Sequence, residues 1–343
     1  MPRHNAPIIG PKTSFFDRLP KETGIALVLF CIIAVGRFAT PNFLTVSNMK
    51  ILLLNGAVIG FLCLGQTFVL LTGGIDLSTG SIVAMSCVFA AVFMQYAGIP
   101  WPVAVVLVMG VGVLTGMLTG LIIHYAGVPP FIVTFAMQGV AASIPQIITG
   151  ANFIMITQKG YALIGQSRPF GIPFPVIALV VAAICATVFL RKTVTGTHIY
   201  AVGGNSEASR LAGINIRKIT VLVYAISGMC ASCGGLIYGS RIMVGSPNPG
   251  RVGDDLFFSI AASVVGGVSL FGGIGTVLGA MIGAIMIAAV SNLMNVLSIN
   301  PFWQPLVIGL IILGGVTFDT LQSSKRLKWP WKKLWRLYFK ENV

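Results

Sequence analysis

Few residues in this chain could do chemistry. Of 343 residues, only eight are Asp or Glu, three are His and six are Cys. Asp76 draws attention first, because "LTGGIDLSTGS" places it between two strongly apolar runs. A carboxylate inside a bilayer is costly and can serve to bind and release H⁺ or Na⁺. The other reading is structural: at a break between helices, Asp76 would accept hydrogen bonds from the N–H of Ser78 or Thr79, at the positive end of the next helix. A capped boundary charge is much cheaper than one facing lipid, so the structural reading is preferred. Asp254 and Asp255 fall in an outer loop, Asp319 at the edge of the last apolar run and His124 at an inner boundary. Cys230 and Cys233 form a CxxC, but in "YAISGMCASCGGLIYG" they read as small packing side chains. No catalytic constellation, metal site or disulfide framework is expected. The phosphate-loop pattern G-x-x-x-x-G-K-[ST] is absent, so the chain has no nucleotide motor of its own.

The elements that must position these residues follow from composition. The chain is 56% hydrophobic and 9% charged, against roughly 25% charged in soluble domains. It cannot clothe itself for water. Its apolar runs are helix-length for a ~30 Å hydrocarbon core, and longer than the ~10-residue alternating segments of barrels. The expected fold is therefore all-α and polytopic. About ten spans lie near 24–40, 48–71, 77–97, 101–126, 128–149, 172–191, 218–242, 255–271, 275–298 and 302–319. The N-terminal "MPRHNAPIIGPKTSFFDRLPKETG" has no short apolar core with a cleavage site, so the first run is expected to remain as a membrane helix.

A net charge of +14 could suggest nucleic acid, but the basic residues sit at the ends of apolar runs. With the N-terminus inside, sixteen Lys/Arg fall on inner segments and six on outer ones (Arg37, Lys50, Lys159, Arg168, Arg241, Arg251). The positive-inside bias puts both termini in the cytoplasm. This divides the chain into an N-terminal tail (1–23), a transmembrane region (24–320) and a C-terminal tail (321–343). The last, "KRLKWPWKKLWRLYFK", mixes Lys and Arg with Trp and Tyr and is expected to lie along inner-leaflet headgroups.

"LTGGIDLSTGSIVAMSCVFAA" resembles "LFGGIGTVLGAMIGAIMIAA": each is a Gly-Gly turn leading into a small-residue helix. Pairing spans two to five with seven to ten would make two inverted-repeat halves with a solute pathway between them. Any two glycine-rich membrane helices would also look alike. Gly110, Gly112, Gly116 and Gly120, and Gly275, Gly279 and Gly283, suggest faces for close helix approach. The longest polar interruption, 191–218, contains "NSEASRLAG", a short helix with Asn205 or Ser206 as N-cap, Glu207 in the first turn and Gly213 as stop.

Several of these stretches carry a family resemblance. "TGTHIYAVGGNSEASRLAGINIRKITVLVYAISG", "GQTFVLLTGGIDLSTGSIVA", "IAASVVGGVSLFGGIGTVLGAMIGA" and "GIPFPV" resemble the permease subunits of ribose-type ABC importers, over roughly residues 24–320. The resemblance implies a bacterial inner-membrane gate for a monosaccharide or small polyol, built as a permease homodimer. Cytoplasmic ABC ATPase subunits holding ATP and Mg would drive it, and an extracytoplasmic solute-binding protein would feed it. It binds no cofactor itself. Gly204, Asn205, Glu207, Ala208, Arg210, Leu211 and Gly213 match the segment that docks on the ATPase. The family often carries Glu about four residues before "IAA", where this chain has Leu256. Receptor docking is therefore assigned more loosely, to Arg251, Asp254 and Asp255. A neutral polyhydroxylated solute wants uncharged hydrogen-bonding groups along its path. Asn55, Gln66, Thr67, Gln138, Asn292 and Asn295 are candidates, each of which could equally bridge neighbouring helices. The competing class is a stand-alone secondary carrier or channel, which would depend on Asp76.

Overall fold

The computed structural model describes residues 21–248 and 252–323. Among them, thirteen α-helices follow in chain order: α1 (Lys21–Ala39), α2 (Val46–Leu71), α3 (Thr79–Gln95), α4 (Trp101–Ala126), α5 (Pro130–Thr149), α6 (Ala162–Gln166), α7 (Phe174–Lys192), α8 (Val194–Gly204), α9 (Ser206–Leu211), α10 (Ile216–Ile242), α11 (Val252–Val265), α12 (Val277–Val296) and α13 (Trp303–Ser323). Six of them, α2, α4, α5, α7, α10 and α12, are long and apolar enough to cross a membrane, and shorter apolar helices lie in α1, α3, α11 and α13. The chain is an all-α, polytopic membrane protein.

Burial sorts the long helices. The most apolar stretch of α2 is 83% buried, whereas those of α5 and α7 are 22% buried. α2 is thus a central post, flanked by α10 and α12, while α4, α5 and α7 turn broad Leu, Ile, Val and Phe faces outward. Exposed apolar faces of that extent suit lipid, in which association rests on packing and hydrogen bonding.

Glycine sets the closest approaches. On α4, Gly112, Gly116 and Gly120 back onto α10: a Cβ on Gly116 would fall on the carbonyl of Tyr224, and one on Gly112 on the carbonyl of Gly228. Gly110 lies off this contact, with open space around it. Gly279 of α12 meets Gly266, just past the end of α11, and Gly283 meets Ala262 of α11 in the same way. Overpacking costs about 1–3 kcal/mol even where side chains can shift, and here the obstacle is backbone. Gly116→Val is therefore expected to cut the yield of monodisperse protein about tenfold or more, and Gly110→Ala to leave it unchanged, read by size-exclusion chromatography in detergent.

Two departures from the expected elements have local causes. The eighth span was expected to run to 271, but α11 stops at Val265. Gly267, Gly272, Gly273 and Gly275 all have positive φ, which breaks the helix into a turn before Thr276 caps α12, its side chain accepting from Gly279 N at 3.0 Å. The polar interruption at 191–218 contains two helices rather than one: α8, capped by Thr193, precedes α9.

At the end of the bundle opposite α8 and α9, strands β1 (Ile154–Met155) and β2 (Val244–Gly245) pair antiparallel and hold the long 150–173 connection against α10. Tyr161 Oη donates to Leu236 O at 3.0 Å, and Gln158 Nε2 to Ile99 O at 2.9 Å.

Candidate coupling and translocation sites

The α8–α9 end is built around a meeting of three backbones. Gly273 N donates to Leu71 O at 2.9 Å, joining the turn before α12 to the end of α2. Gly203, near the end of α8, sits directly over this bond: a Cβ there would land on Leu71 O. Gly272 is as tightly enclosed, its Cβ position 2.7 Å from Gly203 O and 2.8 Å from Gly73 N. The two Gly-Gly turns that look alike in sequence are thus brought together, with α8 laid across both. Ile199 and Val202 form the buried face of α8. Tyr200 Oη donates to Gly275 O at 2.9 Å. Burial pushes this phenol's pKa above its ordinary value while the Arg191 charge pulls it down, so the group remains a neutral donor.

Beyond this anchor, α9 projects. Asn205 caps it, accepting from Ala208 N at 2.9 Å, and Gly213 ends it at φ 82° with its N–H on Arg210 O. Glu207, Ala208, Arg210 and Gly213 are exposed, as is Gly204, and Leu211 is 84% exposed. Only Ser209 of this helix is buried. Six residues are too few to be stable alone. The caps and the α8 anchor hold α9 in place, leaving Leu211 beside the Glu207–Arg210 ion pair (2.9 Å) in solvent.

Asp76 lies in the turn between α2 and α3 and is fully enclosed. Its Oδ1 accepts from Ser78 N (2.9 Å) and Ser78 Oγ (2.6 Å), and its Oδ2 from Ser227 Oγ of α10 (2.7 Å). The buried Gln66 amide, oriented to satisfy both groups, donates to Asp76 O at 3.1 Å and accepts from Asp76 N at 3.3 Å. Asp76→Asn preserves the shape and one strong acceptor, so if transport is ATP-driven, as the sequence leads one to expect, uptake stays within about twofold. Asp76→Leu strands three donors at about 1–3 kcal/mol each and should fail to fold, as read by thermal unfolding in detergent. Loss of uptake in a folded Asp76→Asn protein would instead favour ion coupling.

The candidate pathway residues separate. Thr67 Oγ1 donates within its own helix to Cys63 O at 2.7 Å. Asn292 exchanges paired amide bonds with Asn48 (2.8 and 2.9 Å), tying α12 to α2. Gln138 is half-buried on α5. Only Asn55 and Asn295 come together, on a cavity of about 250 Å³ near the end opposite α9. Residues from α10, α11, α12 and α13 complete it: Tyr238, Arg241, Asp255, Phe258, Ser291 and Gln304. The sequence reading did not nominate Tyr238, Arg241, Phe258, Ser291 or Gln304 for a solute path, and it assigned Asp255 to receptor docking. Arg251 and the side chain of Asp254 lie outside the described residues, as do residues 1–20 and 324–343. Cys230 and Cys233 are free thiols, Cys230 buried against α2 near Gly65.

A bundle of apolar helices with a partly open, half-polar cavity and a helical attachment at one end fits the architecture of a membrane permease. The profile of the family described as "Branched-chain amino acid transport system / permease component" matches residues 48–316, and the chain belongs to that permease family. It is 35% identical to the ribose import permease protein RbsC of Bacillus subtilis, over 91% of this chain and 97% of that protein. It is 32% identical to the galactose/methyl galactoside import permease protein MglC of Escherichia coli, over 92% and 98%. Identity to the xylose transport system permease protein XylH of Haemophilus influenzae is also 32%, over 87% and 96%. The ribose-type resemblance read from the motifs therefore holds. No solved structure gives a significant match.

Proposed function

We propose that this chain is the membrane-spanning subunit of an ATP-driven importer that carries a monosaccharide or related small polyol across the bacterial inner membrane. Ten apolar helices, the six long ones with α1, α3, α11 and α13, would cross the bilayer, with both termini and α8–α9 in the cytoplasm. The two halves would be inverted repeats, and the meeting of their Gly-Gly turns at α8 supports that reading. Two copies would form the pathway. An ABC ATPase pair, holding ATP and Mg, would grip Gly204, Asn205, Glu207, Ala208, Arg210, Leu211 and Gly213. A solute-binding protein would deliver from outside through the region of Arg251, Asp254 and Asp255. The basic aromatic tail would rest on lipid headgroups.

The observation that carries this reading is the seat of α8: an exposed docking helix hung from a backbone junction shared by both halves. Motion imposed on α9 would reach the ends of α2 and α12 without passing through flexible side chains. The relatives' names, all sugar permeases, support the solute class. The stand-alone carrier reading has less to draw on, because Asp76 is already held by two serines and a backbone N–H.

Co-purification with the ATPase and receptor, followed by ATPase measurement with ribose, xylose, galactose and arabinose, tests the proposal. At least one sugar should stimulate turnover of the assembled complex. Stimulation by branched-chain amino acids and by no sugar would overturn the solute class, and an ATPase that never associates would overturn the coupling.

A further inference from the structure

We infer that the cavity at the end opposite α9 is a solute-recognition site in the permease itself, shaped for one neutral polyhydroxylated molecule. Selection would then not rest on the delivering receptor alone. The inference rests on the sugar-permease reading above and deepens it.

Ionisable side chains among apolar membrane helices are costly, face the interior and mark substrate paths. Arg241 and Asp255 both line this cavity, so among the described residues its lining carries one charge of each sign. Polar groups around them are held in place rather than loose. Arg241 Nη1 donates to Asn55 Oδ1 at 3.0 Å. Ser291 Oγ donates to Gln304 Oε1 at 2.8 Å, and Gln304 Nε2 to Asn295 Oδ1 at 2.8 Å. This relay fixes the Asn295 amide, whose Nδ2 hydrogens make no hydrogen bond among the described residues. A guanidinium offers five donors in a rigid fork and an amide offers both donor and acceptor, a set that matches vicinal hydroxyls, each donor and acceptor at once. Tyr238 and Phe258 add aromatic surface for the C–H face of a sugar ring. The volume of about 250 Å³ falls just under the ≈ 300–1,000 Å³ of drug-sized pockets. It is large enough for one monosaccharide. A site on a transport path must also bind weakly enough to release, so affinity should be millimolar.

The test is equilibrium binding of radiolabelled D-ribose, D-xylose and D-galactose to the full-length permease in nanodiscs, without ATPase or receptor, with L-leucine as control. Saturable millimolar binding of at least one sugar and none of leucine is expected. Asn295→Leu and, separately, Arg241→Met should each weaken it about tenfold or more, the cost of a hydrogen bond to a charged or fixed polar group. Leu278→Ala, exposed on the same helix and outside the cavity, serves as the folding control. If Arg241→Met fails to fold, Asn295→Leu still decides. Absence of sugar binding by a permease that supports sugar uptake in the full complex would overturn the cavity while leaving the sugar reading intact. Saturable leucine binding, or sugar binding unaffected by both variants, would also overturn it. Failure of the complex to transport any sugar is the separate outcome that removes the reading beneath it.

Discussion

Gly203→Val is expected to lower ATP-driven uptake at least about tenfold, while Gly110→Ala leaves it unchanged. The contrast follows from what each Cβ would meet. At Gly203 it would strike the carbonyl of Leu71 and the N–H of Gly273, both main chain, whereas at Gly110 nothing lies within 4 Å. A side chain can rotate away from an intruder; a carbonyl already accepting from Gly273 at 2.9 Å can move only by parting the junction. Overpacking of about 1–3 kcal/mol would lift α8 from the turns it bridges. ATP hydrolysis by the assembled complex should continue yet lose its response to solute, measured in proteoliposomes alongside uptake. Full uptake by Gly203→Val would show that motion does not travel through this junction.

The second large effect is expected at Glu207 and Arg210. Their side chains pair at 2.9 Å but are 74% and 67% exposed, and such surface pairs contribute about 0–1 kcal/mol to stability. Removing the pair therefore costs the fold little. Charge reversal across a docked interface is another matter, since breaking one partner of a buried charged pair costs about 2–5 kcal/mol. Glu207→Arg and Arg210→Glu should each reduce uptake about tenfold or more, with membrane content and thermal unfolding unchanged. Unaltered transport by the variant carrying both reversals would count against docking at α9.

Much of the framework was legible because its signals are local. Apolar run length marked the long helices, Gly213 and Asn205 marked the ends of α9, and glycines four apart marked the faces of α4 and α12. The α8 helix was hidden: "VTGTHIYAVGG" is rich in β-branched residues and glycine, which disfavour helix. Burial of its own Ile199 and Val202 against the bundle outweighs that propensity. The end of α11 was misplaced because "GGVSLFGG" is apolar enough to extend a span, and only its positive-φ glycines reveal a turn. The cavity was the least legible part. Its residues come from five helices, and Asn292 and Asn295, three positions apart, look equivalent in sequence. One turns to Asn48 and the other to Gln304. Arg241 read as an ordinary boundary charge, although α10 at 27 residues is longer than the ~20 a span needs. That surplus length was the one available hint that its last turn serves something else.

The central claim is that this polypeptide opens and closes a path but supplies no driving force. Accumulation of radiolabelled sugar in sealed liposomes tests it most directly, comparing the permease alone under an imposed proton or sodium gradient with the permease plus ATPase, receptor and ATP. The account predicts concentration above the external level only in the complete, ATP-fed system. Uphill accumulation by the permease alone would contradict it.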